Sequence, residues 1–182
     1  MVHRRSATML MSIDGRGGSG KSTLARRLAA LSPDATVVHF DDFYRPSAER
    51  RQKREIGVRE IGGDFDWQRV RDEVLEPLAA DRTARYRRYD WERDQLAEWH
   101  EIEPGGIVIV EGNYSARPEL YDLYDLTVWV EAPHAVRLRR GIERDGEEAR
   151  ERWLKEWMPE EDRYISAFRP AARADVIVDG AG

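Results

Sequence analysis

Residues 15–22 read Gly-Arg-Gly-Gly-Ser-Gly-Lys-Ser and match the phosphate-binding pattern G-x-x-x-x-G-K-[ST] at every fixed position. The glycines of such a loop let the backbone curl so that successive N–H groups point at a triphosphate. The lysine reaches the β- and γ-phosphates, and the final hydroxyl can ligate Mg²⁺. This phosphate loop therefore predicts a site for a nucleoside triphosphate and Mg²⁺. The predicted nucleotide-binding residues are Gly15, Gly17, Gly18, Ser19, Gly20, Lys21, Ser22 and Thr23.

The flanks of the phosphate loop fit the strand–loop–helix setting that this pattern requires. Residues 9–13 form an apolar run typical of a buried strand, and Leu24, Leu28 and Leu31 recur at i, i+4 and i+7. That spacing predicts a helix whose apolar stripe packs on a sheet. A glycine-rich turn without a ligand is the alternative, and the flanks disfavour it.

Length and composition limit the fold and its partners. The chain has 182 residues, of which 36% are charged, with a net charge of −5 and no cysteine. A chain of this length is expected to form one domain with a proper core, and the near balance of charge argues against nucleic acid as a partner. Without cysteine there is no disulfide, thiolate metal site or cysteine nucleophile. No apolar run suits a membrane span or a signal peptide, so we expect a cytoplasmic protein.

Five short apolar runs, rich in valine and isoleucine, are typical of buried strands. Near-continuous apolar strands suit a parallel sheet that is covered on both faces. Helical patterns lie between the runs, so the sequence predicts an α/β fold. The runs are residues 10–14, 36–40, 106–110, 126–130 and 175–178.

Helix signals occupy much of the remaining chain. Asp66 is a good N-cap for a helix that carries Trp67, Val70, Val74 and Leu78 on one face. Further helices are predicted over residues 133–144, over 147–157 with both tryptophans buried, and after Pro159.

The segment over residues 43–63 is highly charged and shows no periodicity. We interpret it as a mobile excursion over the active site, and a solvated surface loop is an equally good alternative. Neither interpretation places a helix or a strand there.

Two acids follow the second predicted strand, in the stretch His-Phe-Asp-Asp-Phe-Tyr at residues 39–44. Carboxylates at the carboxyl end of a parallel strand lie where open α/β sheets place their ligands. In phosphoryl transfer, a carboxylate there can accept the proton of an attacking hydroxyl. Asp41 and Asp42 are therefore candidates for a general base, and capping of the next turn is the structural alternative.

The third predicted strand ends in Glu111 followed by Gly112. In phosphate-loop enzymes, an acid in this place holds Mg²⁺ directly or through a water of its shell. A solvated strand end is the alternative. We take Ser22, Glu111 and Asp41 as the candidate metal ligands.

Three arginines, Arg137, Arg140 and Arg144, recur at i, i+3 and i+7 after the fourth predicted strand. A row of guanidinium groups can clamp a phosphoryl group and neutralise the charge that develops during transfer. An exposed face that pairs with the neighbouring glutamates is equally compatible with the spacing.

Together these segments resemble the uridine kinase and phosphoribulokinase group of kinases, which includes the nicotinamide riboside kinases. The matching segments follow one another in the family's order over most of the chain. The phosphate loop is common to many families, whereas Asp-Asp-Phe-Tyr at residues 41–44 is more specific. The other matching positions are residues 65–66, 89–90, 110–112, 137–140 and 144–145.

The resemblance implies an ATP-dependent kinase with the P-loop NTPase fold. Residues 1–182 would form a single kinase domain, with a helical lid over about residues 137–157. By motif match, Asp41 resembles the general base, and it would act with Lys21 and Arg140. Asp66 resembles a ligand of sugar hydroxyls, and Arg137 and Arg140 resemble lid arginines. The residues implied to bind the acceptor are Tyr44, Phe65, Asp66, Tyr89, Trp91 and Arg137.

Two departures from the family's pattern concern the acceptor. Nucleoside-selective members carry a His and an Arg shortly after the Tyr-Asp pair, whereas residues 91–95 contain no His and a shifted Arg. The lid lacks the family's Arg-Gly-Arg and offers Arg150 and Arg152 instead. Uridine or cytidine is the leading acceptor, and nicotinamide riboside, pantothenate or another small alcohol is the alternative.

We expect a small molecule with a hydroxyl group as the partner, with neither nucleic acid nor a membrane, and we leave homo-oligomerisation open. A catalytically idle nucleotide-binding protein is the rival class. The complete set of Lys21, Ser22, Asp41 and Glu111 stands against it, because an idle protein has no chemical need for all four. ATP turnover that depends on an added hydroxyl acceptor discriminates between the two classes.

Overall fold

A computed structural model of the chain describes residues 7–55 and 60–181. Its strands are β1 Thr8–Gly15, β2 Ala35–His39, β3 Ala84–Asp90, β4 Gln95–Ile102, β5 Gly106–Glu111, β6 Leu126–Glu131 and β7 Val176–Asp179. Five of them form a parallel sheet in the order β2-β5-β1-β6-β7, while β3 and β4 pair as a separate antiparallel hairpin.

The predicted α/β class and the five-stranded parallel sheet are confirmed, and each predicted strand lies within two residues of its expected bounds. The hairpin β3–β4 was not predicted. Its strands mix charged and apolar side chains without strict alternation. Cross-strand pairs such as Arg88 with Glu98, whose closest atoms are 2.6 Å apart, contribute to holding it. Among the described residues, no helix is long and apolar enough to cross a bilayer.

Helices cover both faces of the sheet. The helix Lys21–Leu31 packs Leu24 and Leu28 against one face, where Ile13 of β1 is fully buried. A helix over residues 67–79 packs against the other face, where Leu10 of β1 points. The segments of this helix are Trp67–Arg69, Val70–Leu75 and Glu76–Ala79. Four other helices are Ser47–Glu55, Pro118–Tyr121, His134–Asp145 and Pro170–Arg173. A continuous helical series consists of Arg150–Arg152, Trp153–Trp157 and Met158–Phe168.

The helix predictions are confirmed with two corrections. Leu31 does not pack on the sheet but is 82% exposed, because it is the last residue of its helix. Pro159 does not begin a new helix, because the helical backbone continues from Arg150 to Phe168. Pro159 is the second residue of the segment Met158–Phe168, one residue after the wider π-helical turn Trp153–Trp157, where the regular i→i−4 bonding is already interrupted.

The charged segment over residues 43–63, interpreted as a mobile excursion or a solvated loop, contains a helix that its lack of periodicity did not predict. Residues Ser47–Glu55 form a helix, and Arg45 is buried. The backbone N–H of Ser47 donates to Oδ1 of Asp94 at 2.8 Å, so the turn between β3 and β4 supplies the contact at the start of this helix. That contact comes from a residue distant in sequence, and residues 56–59 lie outside the described part of the chain.

The region predicted as a lid packs directly on the phosphate loop. Trp153 is 2% exposed, and its ring lies where a side chain at Gly17 or Gly141 would have to go, at 2.7 Å and 2.4 Å from an ideal Cβ. Both positions therefore require glycine for close approach. Trp157, also expected to be buried, is half-buried and meets Trp153 edge to face.

Candidate active site

The phosphate loop joins the end of β1 to the helix Lys21–Leu31, so backbone N–H groups at the helix N-terminus face the site. Gly20 has φ of +104°, a left-handed conformation that favours glycine. Ser22 and Thr23, in the first turn of this helix, are exposed and accessible to a ligand. The strand–loop–helix setting expected for phosphate binding is thus present.

Lys21 is enclosed by protein, with 7% of its surface exposed. Its ammonium group donates to the carbonyl oxygen of Arg16 at 3.0 Å and to Oδ1 of Asn113 at 2.7 Å. Burial lowers the pKa of Lys21, and the negative charge of Glu111, followed by those of three further carboxylates, opposes this shift. The surrounding carboxylates favour the charged form that phosphate binding needs.

Glu111 connects the ends of two strands to the phosphate loop. The Ser22 hydroxyl donates to Oε2 of Glu111 at 3.1 Å, and Nδ1 of His39 lies 2.6 Å from Oε1. Burial alone would raise the pKa of Glu111, but the hydrogen bond with His39 and the charge of Lys21 outweigh it and hold the pKa below its usual value. The same hydrogen bond raises the pKa of His39. Sequence analysis did not identify His39 as a partner of Glu111.

The donors around Ser22 suit Mg²⁺. A hydroxyl and carboxylate oxygens are ligands that Mg²⁺ accepts, and this ion is usually held by one or two carboxylates together with phosphate oxygens and water. Within the described ranges, no group of three or more His, Asp or Glu side chains forms a metal site by itself. Ser22, Glu111 and Asp41 therefore suit a Mg²⁺ ion whose remaining ligands come from the phosphates of a bound nucleotide and from water.

Asp41 and Asp42 face different surroundings, although both lie in the turn Phe40–Phe43 after β2. Asp41 is exposed to solvent, and the protein mass around it and then the charge of Glu111 raise its pKa, while Lys21 is the first of the cations that oppose the rise. Asp42 instead accepts a hydrogen bond from the Tyr86 hydroxyl of β3 at 3.4 Å. Asp41 thus belongs to the phosphate side of the site, and Asp42 to the hairpin.

Arg137 does not lie on an open face. Its guanidinium donates to Oε2 of Glu161 and to the carbonyl oxygen of Ala132, both at 3.1 Å, and the residue is 1% exposed. Because these groups already occupy it in a buried position, the placement argues against Arg137 as a ligand of the acceptor.

Arg140 and Arg144 point to different places. Nη1 of Arg140 donates to the carbonyl oxygens of Gly180 at 2.6 Å and Gly18 at 3.3 Å, so this side chain ties the phosphate loop to the segment after β7. Arg144 pairs with Asp145, and its positive charge opposes the rise in the pKa of Asp41. Neither a phosphate clamp of three arginines nor a row of exposed ion pairs describes Arg137, Arg140 and Arg144, because each of the three has a separate environment.

Four aromatic side chains expected around the acceptor do lie together, and we call them the acceptor cluster. The ring centroid of Tyr44 is 4.4 Å from that of Trp91, 5.0 Å from that of Phe65 and 5.5 Å from that of Tyr89. Desolvation raises the pKa of Tyr44 to about 12. Trp91 stands at the turn of the hairpin and is 56% exposed, so a flat surface remains open to solvent.

Asp66 is the N-cap of the helix over residues 67–79, as predicted. Its Oδ1 accepts from the backbone N–H of Arg69 at 3.4 Å, and its Oδ2 accepts from Nη1 of the buried Arg45 at 2.7 Å. Both carboxylate oxygens already have partners, so a hydroxyl ligand at Asp66 has to share them.

Asp14, directly before the phosphate loop, is a functional candidate that sequence analysis missed. Its carboxylate accepts from the backbone N–H groups of Gly15, Tyr114 and Ala116 and from the Tyr164 hydroxyl, at 2.7–3.1 Å. Burial raises its pKa to about 6. Only its position at the end of a strand could have drawn attention to it, because its partners are distant in sequence.

A phosphate loop after the first strand of a parallel sheet, with acids at the ends of strands beside it, defines a nucleotide-binding protein of the P-loop class. The chain belongs to the phosphoribulokinase / uridine kinase family, whose model matches residues 10–180.

Individual relatives agree with this family. The chain is 30% identical over 164 residues to a uridine kinase of Halobacterium salinarum, covering 88% of this chain and 71% of the relative. It is 31% identical over 172 residues to a uridine kinase of Alkaliphilus metalliredigens, covering 90% and 78%. A solved structure described as a possible uridine kinase from Bacillus stearothermophilus superposes with a TM-score of 0.71 at 23% identity, covering 98% of this chain and 92% of that one. At this identity the superposition shows the shared fold alone.

Proposed function

We propose that this protein transfers the γ-phosphate of ATP to a hydroxyl group of a small molecule in a Mg²⁺-dependent reaction. The observation that carries the proposal is the convergence of Lys21, the bonded pair of Ser22 and Glu111, and Asp41 at the carboxyl ends of β1, β2 and β5. Each group has a different role in phosphoryl transfer, and an idle binding protein needs no such combination.

In the proposed reaction, the acceptor oxygen forms a bond to the γ-phosphorus while the bond from that phosphorus to the β–γ bridging oxygen breaks and ADP leaves. Asp41 accepts the proton of the attacking hydroxyl. Lys21 stabilises the negative charge on the phosphate oxygens, and Ser22 and Glu111 would hold the metal ion. When bound, Mg²⁺ would supply positive charge that offsets the negative charge of the phosphates.

A nucleoside is the leading acceptor. The relatives named uridine kinases and the clustered aromatic rings of the acceptor cluster support it, since aromatic faces bind flat rings. The missing His and displaced Arg after Tyr89-Asp90 weigh toward weak discrimination between bases. Nicotinamide riboside, pantothenate or another small alcohol is therefore kept as the alternative acceptor.

The test is a coupled ADP-release assay with MgATP and a panel of nucleosides, vitamins and sugars. We expect turnover that requires one class of acceptor and disappears when Mg²⁺ is chelated. Hydrolysis of ATP at the same rate without any acceptor would indicate a motor or a switch. Tight ATP binding without turnover on any member of the panel would support the idle binding protein.

A further inference from the structure

A chain of partly or fully buried hydrogen bonds runs from the phosphate-binding lysine to the helices His134–Asp145 and Met158–Phe168. Lys21 donates to Oδ1 of Asn113 at 2.7 Å, and Nδ2 of Asn113 donates to Oε1 of Glu161 at 2.7 Å. The other oxygen of Glu161 accepts from Arg137 at 3.1 Å. The path thus links the start of the helix Lys21–Leu31, the loop after β5 and the helices His134–Asp145 and Met158–Phe168.

Glu161 also holds the phosphate loop itself. Its Oε1 accepts from the backbone N–H of Gly17 at 2.7 Å, and the residue is 4% exposed. A buried carboxylate is costly unless it is paired and hydrogen-bonded, and here three donors satisfy it. The hydrogen bond between Gly17 and Glu161 fixes the position of the phosphate loop relative to the helix Met158–Phe168.

The orientation of Asn113 is determined at both ends. Lys21 has only donors, so the amide oxygen must face it, and the carboxylate of Glu161 has only acceptors, so the amide nitrogen must face that group. Two of the three Lys21 N–H donors are then used by Arg16 and Asn113. The remaining donor is aimed by these two bonds, which is what binding of a phosphate oxygen requires.

We infer that Asn113 and Glu161 are positioning residues: Asn113 aims Lys21 at the triphosphate, and Glu161 holds Asn113 and the backbone of the phosphate loop at Gly17 in place. Neither side chain touches the reacting atoms in this inference, which rests on the proposed phosphotransfer function. Arg137 takes part as the cation that pairs with Glu161 and holds its carboxylate in place. Its role is then different from that of an arginine that contacts substrate.

The test compares Asn113→Ala, Glu161→Gln and the double variant with wild type. We expect each single change to lower kcat/KM for ATP by about 10- to 100-fold, the loss typical of one hydrogen bond to a charged group. Because both residues act on Lys21 through one path, the double variant should lose little more than the worse single variant. Glu160→Gln is the matched control, since Glu160 pairs on the surface with Arg163, and it should stay within about twofold of wild type.

A second readout separates aiming from general loosening. Lys21 serves the β- and γ-phosphates, so Asn113→Ala should weaken binding of a non-hydrolysable ATP analogue much more than binding of AMP, as measured by calorimetry. Equal weakening of both nucleotides, a rate within about twofold of wild type, or losses that multiply in the double variant would overturn the inference. If Glu161→Gln does not fold because Arg137 is left unpaired, Asn113→Ala decides, since it unpairs no buried arginine. The calorimetric comparison needs no acceptor, so it stands even if no hydroxyl compound proves to be a substrate.

Discussion

The phosphate loop and the acceptor cluster lie at the same end of the sheet but are built in different ways. The loop is a run of consecutive residues whose backbone supplies the ligands and whose neighbours are the strand and helix it joins. The cluster takes Tyr44 from the turn after β2, Phe65 from the start of a helix, and Tyr89 and Trp91 from the hairpin. In the proposed function, phosphate binding is therefore a local property of the chain, whereas the choice of acceptor depends on how distant segments meet.

This comparison predicts that substitutions around the phosphate loop lower the reaction rate strongly, whereas substitutions in the acceptor cluster and at Asp66 change the kinetics less. The largest effect is expected for Lys21→Ala, which removes the cation that serves the transferring phosphoryl group. Turnover should fall by about 10³-fold, because such clamps act mainly in the transition state. Steady-state rates at saturating acceptor measure it.

Lys155→Ala is the matched control for Lys21. Lys155 is exposed and pairs only with Glu151 among the described residues, so its removal should leave the rate unchanged. Comparable activity of the Lys21 variant and wild type would remove the basis for nucleotide binding by this loop.

The next effect concerns Asp41→Asn, which preserves shape but cannot accept a proton. We expect kcat to fall by about 10²- to 10³-fold while ATP still binds. Because the surrounding protein and the charge of Glu111 raise the pKa of Asp41, the wild-type rate should fall on acidification at a higher pH than for a free aspartate, and this limb should be absent in the variant.

Asp42→Asn is the internal control for Asp41, since Asp42 contacts Tyr86 of the hairpin. It should retain most of the activity. The opposite result, an inactive Asp42 variant and an active Asp41 variant, would exchange the two roles.

A smaller effect is expected for Asp66→Asn on the acceptor side. If Asp66 binds a hydroxyl of the acceptor, KM for the acceptor should rise by about tenfold, with little loss of helix capping because Asn is nearly as good an N-cap. Acceptor kinetics and melting temperature measured on the same preparation separate the two roles.

Arg45→Met controls for the ion pair that Asp66 also makes. This change removes the pair but leaves the carboxylate, so acceptor KM should stay near the wild-type value. An equal rise in KM in both variants would mean that Asp66 acts by holding Arg45, and unaltered kinetics in Asp66→Asn would leave it as a cap only.

The smallest effect is expected for Trp91→Ala. Loss of a stacking surface should raise KM for the acceptor by about 2- to 10-fold and leave KM for ATP unchanged. Trp99→Ala is a close control, because both tryptophans are on the hairpin and are similarly exposed, at 56% and 55%. A preference for uridine over other ribosides beyond about 10³-fold would indicate a base-reading group outside the acceptor cluster.

Local patterns predicted most of the architecture. The five sheet strands were visible because buried parallel strands are nearly continuous in apolar residues, and the helix after Asp66 because its cap and its apolar stripe agree. The hairpin β3–β4 was missed, since it carries charged side chains and is held by pairs between its own strands. The helix Ser47–Glu55 was missed because the bond at its start comes from Asp94, far along the chain.

The sequence by itself determined the phosphate loop, the parallel sheet and the presence of acids at the strand ends, because each depends on residues close together in the chain. Only the tertiary structure decided which groups those acids meet: that Glu111 joins Ser22 and His39, that Asp41 and Asp42 face apart, and that Arg137 is buried against Glu161. Side-chain partners distant in sequence are chosen by packing, since a buried charge must find a counter-group wherever the fold brings one. The spacing of residues in the sequence therefore does not predict which side chains pair.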